Sequence, residues 1–295
     1  MKSKYIRLIR PIAWTTYLLP FTVGIGLGIT PKTNIYHIII AFFSFCFWMA
    51  YCFILNAIGD KDVDKYHNGK SKDMNLSNQP IITGEITEKK SLTIAIIFLF
   101  LSLIFALFIN YLFFLLILIV DIFGYIYSMP PLRLKTKPIT DIFCNAFSGS
   151  IIFIAGLYIG RANINTFMII GSFIMASIFY IPTVLTDYHF DKKAGLLTSA
   201  VFLGPKKILF AMSILNIILI FILIIVFLTS GIELQFLSIL IAIYSIIFTI
   251  ASNIKLRDKK LYIHENWILV PFALLSIAFV IYGFLKLFNF YKPPY

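Results

Sequence analysis

The sequence predicts an all-α integral membrane protein with nine transmembrane helices and a cytoplasmic N-terminus, folded as one domain over residues 1–295. Three observations carry this. First, 60% of the residues are apolar and only 13% are charged, about half the roughly 25% usual in soluble chains, and the mean hydropathy is +0.93. Second, the apolar residues come in runs of about twenty, the length that spans a bilayer core as helix. Third, the cations are one-sided. Of the 25 Lys and Arg residues, 21 fall in the N-terminal tail and the loops after even-numbered runs. Only Lys32, Arg161, Lys286 and Lys292 lie opposite, so the charged face is cytoplasmic by the positive-inside rule.

In chain order the runs lie at 11–30, 36–58, 91–109, 112–128, 139–160, 165–187, 208–228, 234–252 and 266–288. Asn110-Tyr111 divides the third from the fourth, and Thr229-Ser230-Gly231 the seventh from the eighth. The N-terminus, with Lys2, Lys4, Arg7 and Arg10 before an apolar stretch, has the outline of a signal peptide. No small-residue cleavage site is evident and many spans follow, so the first run is expected to be retained. The net charge of +12 is read as membrane topology rather than nucleic-acid binding. Cys46, Cys52 and Cys144 sit inside apolar runs without metal-ligand spacing and are expected to pack.

The second run ends in Asn56-Ala-Ile-Gly-Asp60-Lys-Asp62-Val-Asp64-Lys65. Residues 56, 60 and 64 share one helical face, stacked about 6 Å apart along the axis. Mg²⁺ prefers oxygen ligands and joins one or two carboxylates to substrate phosphates, so Asn56, Asp60 and Asp64 are candidate metal ligands. A solvated helix end is the alternative, and Asp62, on another face, is expected to be merely solvated. The sixth run ends Thr186-Asp187-Tyr-His-Phe-Asp191, repeating the four-residue spacing at the same side of the membrane. Two carboxylate pairs suit two or more Mg²⁺ ions around one pyrophosphate. His189 lies on a different face and is expected at the surface.

After the fourth run comes Tyr127-Ser128-Met-Pro130-Pro131-Leu-Arg133-Leu-Lys135-Thr-Lys137. The prolines stop the helix, and in an extended segment Arg133 and Lys135 point the same way. A pyrophosphate leaving group needs such charge beside its metals, although a loop that only sets topology has the same composition. Arg10 is a further candidate cation and reads equally as a snorkelling anchor. Asp121 lies within the fourth run with Tyr125 one turn on. An ionisable group inside a span is a functional-site hypothesis: it orients an acceptor or takes a proton, or else it bonds a neighbouring helix. Asp141 and Asn145 form a similar stripe, expected to act as bundle glue.

Together these motifs resemble the UbiA superfamily of intramembrane prenyltransferases. Asn56, Asp60 and Asp64 match its N-x-x-x-D-x-x-x-D motif, and Asp187 and Asp191 its D-x-x-x-D. Gly195, Thr198, Leu203 and Gly204 are similar to its G-x-x-T…L-G tail. Asn78-Gln79-Pro80-Ile-Ile-Thr83-Gly84 is similar to N-R-P-I-x-S-G, and Tyr127 to Lys135 to Y-S-x-P-P-L-R-L-K. The resemblance spans the chain and implies a nine-helix bundle. It also implies Mg²⁺-assisted loss of pyrophosphate from an allylic diphosphate, geranylgeranyl or similar, and alkylation of a lipophilic acceptor. The motif residues would be catalytic and metal-binding, with Arg10, Lys65, Tyr127, Arg133 and Lys135 on the diphosphate and Asp121 and Tyr125 on the acceptor side. Membrane lipid is implied as surroundings; neither nucleic acid nor an obligatory protein partner is. Two departures stand out: Ala57 where many members have Asp, and Gln79 where many have Arg. The Pro-Pro loop followed by Lys137-Pro138-Ile-Thr-Asp141 looks most like the carotenoid-elongating and chlorophyll-synthase-like branches, and Asp60-Lys-Asp62-Val-Asp64 resembles the first of these.

An ion-coupled transporter is the alternative, but its acids belong near the midplane at a repeat interface, whereas these cluster at one rim beside basic loops. The single acidic run of a CDP-alcohol phosphotransferase is absent from the sequence. A soluble prenyl synthase shares acidic motifs but not nine spans.

Overall fold

The computed structural model describes residues 3–64, 78–160, 165–257 and 266–288, and among them every regular element is helical. A short α1 (Lys4–Ile9) and a 3-10 turn (Pro11–Trp14) lead into α2 (Thr15–Gly28), α3 (Ile35–Gly59) and the single turn α4 (Lys61–Asp64). Then follow α5 (Glu88–Leu107), α6 (Tyr111–Ser128), α7 (Thr140–Ile159) and α8 (Thr166–Thr186). Two short helices, α9 (Tyr188–Lys193) and α10 (Ser199–Leu203), precede α11 (Pro205–Thr229), α12 (Ile232–Arg257) and α13 (Asn266–Leu287). Among the described residues, seven helices are long and apolar enough to cross a membrane. The 14-residue α2 and the apolar stretch Ala273–Leu287 of α13 are shorter.

The sequence sets these boundaries locally. Asn34, Thr87, Asn110 and Asn165 each accept a bond from a first-turn amide of α3, α5, α6 and α8, satisfying donors that a helix leaves open. Pro205 opens α11 at a position where its missing N–H is not needed. The first apolar run, expected to be helical from residue 11, differs. Arg10 adopts a left-handed backbone (φ 47°), Pro11–Trp14 winds as 3-10 helix, and α2 begins only at Thr15. The residue before a proline is pushed out of the right-handed helical region, which interrupts the winding here.

Small residues let the central helices approach. Gly24 and Gly28 of α2 face Gly156 of α7 and Gly160 at its C-terminal cap, and a Cβ at any of the four would collide with facing backbone. This is a small-xxx-small crossing on both partners. From it the bundle extends through α7 to α8, α11 and α12 on one flank, and through α6 to α3 and α5 on the other, with α13 against α2. Buried hydrogen bonds tie neighbours: Ser44 Oγ donates to Ser102 O (2.8 Å), and Asn216 Nδ2 to Ser245 O (2.8 Å) and Thr249 Oγ1 (2.8 Å). Asp141, fully buried, accepts from the backbone amide of Ser199 (2.8 Å) and from its hydroxyl, docking α10 on α7. The expectation that Asp141 is glue therefore fits its surroundings. At the far end of the bundle Lys286 binds Glu233 (2.9 Å) and Leu27 O (3.1 Å).

Candidate active site

The ends of α3 and α8 bring the two acidic motifs to one cavity of about 520 Å³. Asn56, Asp60, Asp64, Asp187 and Asp191 all line it, together with Arg10 and Lys135. The first motif is not one continuous helix. α3 ends at Gly59, Asp60 sits at a bend (φ −100°, ψ 3°), and α4 resumes with Asp64 N bonded to Asp60 O (2.8 Å). The bend keeps helical hydrogen bonding on both sides, so positions 56, 60 and 64 still share a face. Asp62 is exposed. In the second motif Asp187 caps α8, and Asp191 N bonds back to Asp187 O (2.9 Å). Thr198 Oγ1 donates to the buried Asp191 Oδ2 (3.3 Å). His189 is exposed and off the cavity.

The cations converge on the first motif. Lys135 Nζ lies 2.6 Å and Arg133 Nη2 3.2 Å from the same oxygen of Asp60, and Arg10 Nη2 lies 3.0 Å from Asp64. Arg133 and Lys135 do point the same way, but not along an extended segment. Arg133 is left-handed (φ 39°) and residues 134–136 wind as 3-10 helix. Arg133 also donates to Gly59 O (2.5 Å), behind the cavity wall rather than on it. Burial pushes the Asp60 carboxyl up, but Lys135, then Arg133 and Arg10, more than reverse this and hold it below the usual carboxylate value. Asp64 is pushed up to about 6 by burial, opposed by Arg10 and reinforced by the Asp60 charge. Lys135 is lowered by burial and pulled back by Asp60.

Beyond the charged rim the wall turns neutral. Tyr17 donates to Asn145 Oδ1 (2.6 Å), and the hydroxyls of Tyr127 and Tyr180 meet at 3.0 Å; all four side chains line the cavity. Below them the lining is mainly apolar. Along α8 it runs from Asp187 back to Phe167, about 30 Å at the helical rise, so the cavity extends through most of the bundle.

Two expected acceptor-side residues are not brought to this cavity. Val120, Phe123, Gly124 and Tyr127 of α6 face it, while Asp121 is buried against α5, accepting from Ser102 Oγ (3.0 Å), and Tyr125 is exposed. The helix-bonding alternative for Asp121 is the one that its contacts match. Lys65 lies outside the described residues. Conversely, Tyr17, Asn145 and Tyr180 line the cavity without belonging to any of the sequence motifs, although Asn145 shares a polar stripe with Asp141. A signal was available: stepping back by three or four residues from Asp187 gives Thr183 and Tyr180, and from Asp60 gives Asn56 and Cys52, all cavity-lining.

The donor set is oxygen throughout, which suits Mg²⁺. Among the described residues no three acidic, His or Cys side chains converge enough to hold a metal by themselves. An ion at Asp60 and Asp64, or at Asp187 and Asp191, would complete its shell with phosphate oxygens and water, as Mg²⁺ commonly does. The residues therefore fit a metal bound together with a diphosphate.

The model of the UbiA prenyltransferase family matches residues 17–264. A UbiA homologue from Archaeoglobus fulgidus, solved bound to DMAPP and Mg²⁺, is 44% identical to the chain, with a TM-score of 0.92 over 97% of this chain and 99% of that one. The structure of a UbiA homologue from the same organism bound to GPP and Mg²⁺ gives the same identity, coverage and TM-score. The apo UbiA homologue from Aeropyrum pernix, 16% identical over 93% of this chain and 99% of its own, has a TM-score of 0.72 and attests the fold alone. No curated protein matches the chain.

Proposed function

The chain belongs to the UbiA prenyltransferase family, and we propose that it moves an isoprenyl group from an allylic diphosphate, geranylgeranyl or similar, to a lipophilic acceptor. The observation that carries this is the single cavity with both acidic motifs and two cations at one end and an apolar slot along the rest. A lipophilic diphosphate has the same division. Each isoprene unit contributes four chain bonds of about 1.5 Å, or roughly 5 Å of extended length, so a geranylgeranyl tail of about 20 Å fits a slot of about 30 Å.

Asn56, Asp60, Asp64, Asp187 and Asp191 would hold two or more Mg²⁺ ions, which supply charge neutralisation for the departing pyrophosphate. Arg10 and Lys135 add charge-assisted donors to the same oxygens, with Arg133 keeping Asp60 ionised and in place. Tyr127 stands where the charged rim meets the slot, suited to bond the diphosphate. The allylic C–O bond breaks with its electron pair going to the diphosphate oxygen. The allylic carbon then bonds an electron-rich carbon of the acceptor, which releases a proton. The apolar wall excludes water that would otherwise capture the allylic cation.

We place nine spans in the bilayer, with the acidic rim facing the cytoplasm. The support is the 21 cations on the rim side against 4 opposite. Among the branches of the family, the motifs resemble most the carotenoid-elongating and chlorophyll-synthase-like ones.

The test is pyrophosphate release from geranylgeranyl diphosphate by membranes containing the protein, with a pooled lipid extract as acceptor. Release that requires Mg²⁺ and is abolished by EDTA and by Asp60→Asn is the expected result. No release with this donor, or with shorter and longer ones, overturns the reading.

A further inference from the structure

Arg10 is held on three sides. Its backbone is left-handed (φ 47°, ψ 60°), a conformation that costs an ordinary L-residue about 1 kcal/mol and persists only where the surroundings over-determine it. Its Nη2 lies on Asp64 (3.0 Å). Its third anchor is Gln79, a buried residue of the 78–86 segment. With the amide oriented to satisfy both neighbours, Gln79 Oε1 accepts from Arg10 Nε (2.7 Å) and Nε2 donates to Arg7 O (3.1 Å).

The segment that carries Gln79 is itself fastened to α1. Arg7 donates to Asn78 O (2.8 Å) and pairs with Glu85 (2.5 Å), and Thr83 Oγ1 donates to Glu85 (3.0 Å). Leu8, wholly buried, packs in one cluster with Ile81 and Ile86. Thus α1 and residues 78–86 form one latch whose central amide grips the guanidinium by the nitrogen nearest its stem.

We propose that Gln79 is the positioning residue for Arg10, fixing Nε so that the terminal nitrogens face the cavity and can pass from Asp64 to a diphosphate. This rests on the transferase reading above. A guanidinium gripped at Nε keeps a defined plane while its outer edge changes partners, which a free side chain does not. The glutamine at this position is then a neutral holder for the cation supplied by residue 10, rather than a lost phosphate contact.

The test measures binding of inorganic pyrophosphate with Mg²⁺ to the full-length, detergent-purified protein by calorimetry, alongside KM and kcat for geranylgeranyl diphosphate. Gln79→Leu is expected to weaken pyrophosphate binding about tenfold, the equivalent of about 1.4 kcal/mol, raising KM more than it lowers kcat. In an Arg10→Ala background the same change is expected to add nothing, the mark of one shared interaction. Arg10→Lys reads the contact from the other side and does not depend on Gln79→Leu folding. It keeps the charge but lacks Nε–H, so its binding is expected to fall as far as that of Gln79→Leu. Independent, multiplying losses, or an Arg10→Lys protein that binds like wild type, overturns the proposal. Wild-type protein that binds no pyrophosphate overturns the transferase reading and this proposal with it. Wild-type binding that Gln79→Leu leaves intact overturns this proposal alone.

Discussion

Replacing Lys135 by Met separates two roles that the structure gives to one cation. Its Nζ is buried and lies 2.6 Å from Asp60, so the change removes one partner of a buried pair. Such losses cost about 3–5 kcal/mol. Arg133, at 3.2 Å from the same oxygen, keeps part of the compensation, which sets the expectation near 3 kcal/mol. Mg²⁺ with pyrophosphate restores positive charge beside Asp60, so the deficit in thermal stability is expected to shrink when both are added. Activity does not recover in the same way. A charged donor missing from the leaving group costs about 10²–10³-fold in turnover. The assay is thermal unfolding of the detergent-purified protein with and without Mg²⁺ and pyrophosphate, paired with steady-state turnover. A Lys135→Met protein within about threefold of wild-type turnover refutes the leaving-group role. A stability deficit that ligand leaves unchanged refutes the argument that Lys135 balances Asp60.

Three further outcomes follow from the same geometry. Asp64, raised to about 6, must shed a proton to take a metal below that pH, so Mg²⁺ affinity is expected to fall about tenfold per unit below pH 6; an affinity flat from pH 7.5 to 5 in calorimetry contradicts this. The sign for stability is opposite, since the folded state holds a proton that the unfolded chain has released between about pH 4 and 6, and the metal-free fold loses stability as pH rises through that window. Ala176 lines the slot about 16 Å from Asp187 along α8, so Ala176→Phe is expected to spare geranyl diphosphate and depress geranylgeranyl turnover more than tenfold. Equal losses on both donors in a chain-length series argue against a slot running along α8.

Much of the molecule was legible because it is local. Twenty-residue apolar runs, the Asn and Thr caps and the four-residue spacing of the acids depend on neighbours in sequence, and seven of the expected spans stand out as long apolar helices. Convergence of the two motifs at one end follows from the helix alternation that places both acid pairs at ends of even-numbered runs. The backbone irregularities at Arg10, Asp60 and Arg133 lie outside what that periodicity encodes. The helix pattern fixes side-chain period but not these bends, of which only the one at Arg10, before Pro11, has a local cause, and two of the three occur at the cations that reach the acids.

What the sequence by itself determined is therefore the seven long apolar helices, the shared end of the two acidic motifs and the acids' shared faces. Only the tertiary structure decided which helices neighbour one another, and with that the partners: Arg10 with Asp64 and Gln79, Tyr17 with Asn145, and Asp121 with Ser102 rather than the cavity. The physical reason is the solvent. In a bilayer, the outer face of a helix is as apolar as the face that packs inside, so periodicity does not mark which side turns inward. That choice is made by close contacts, such as the paired glycines of α2 and α7, between residues more than a hundred positions apart.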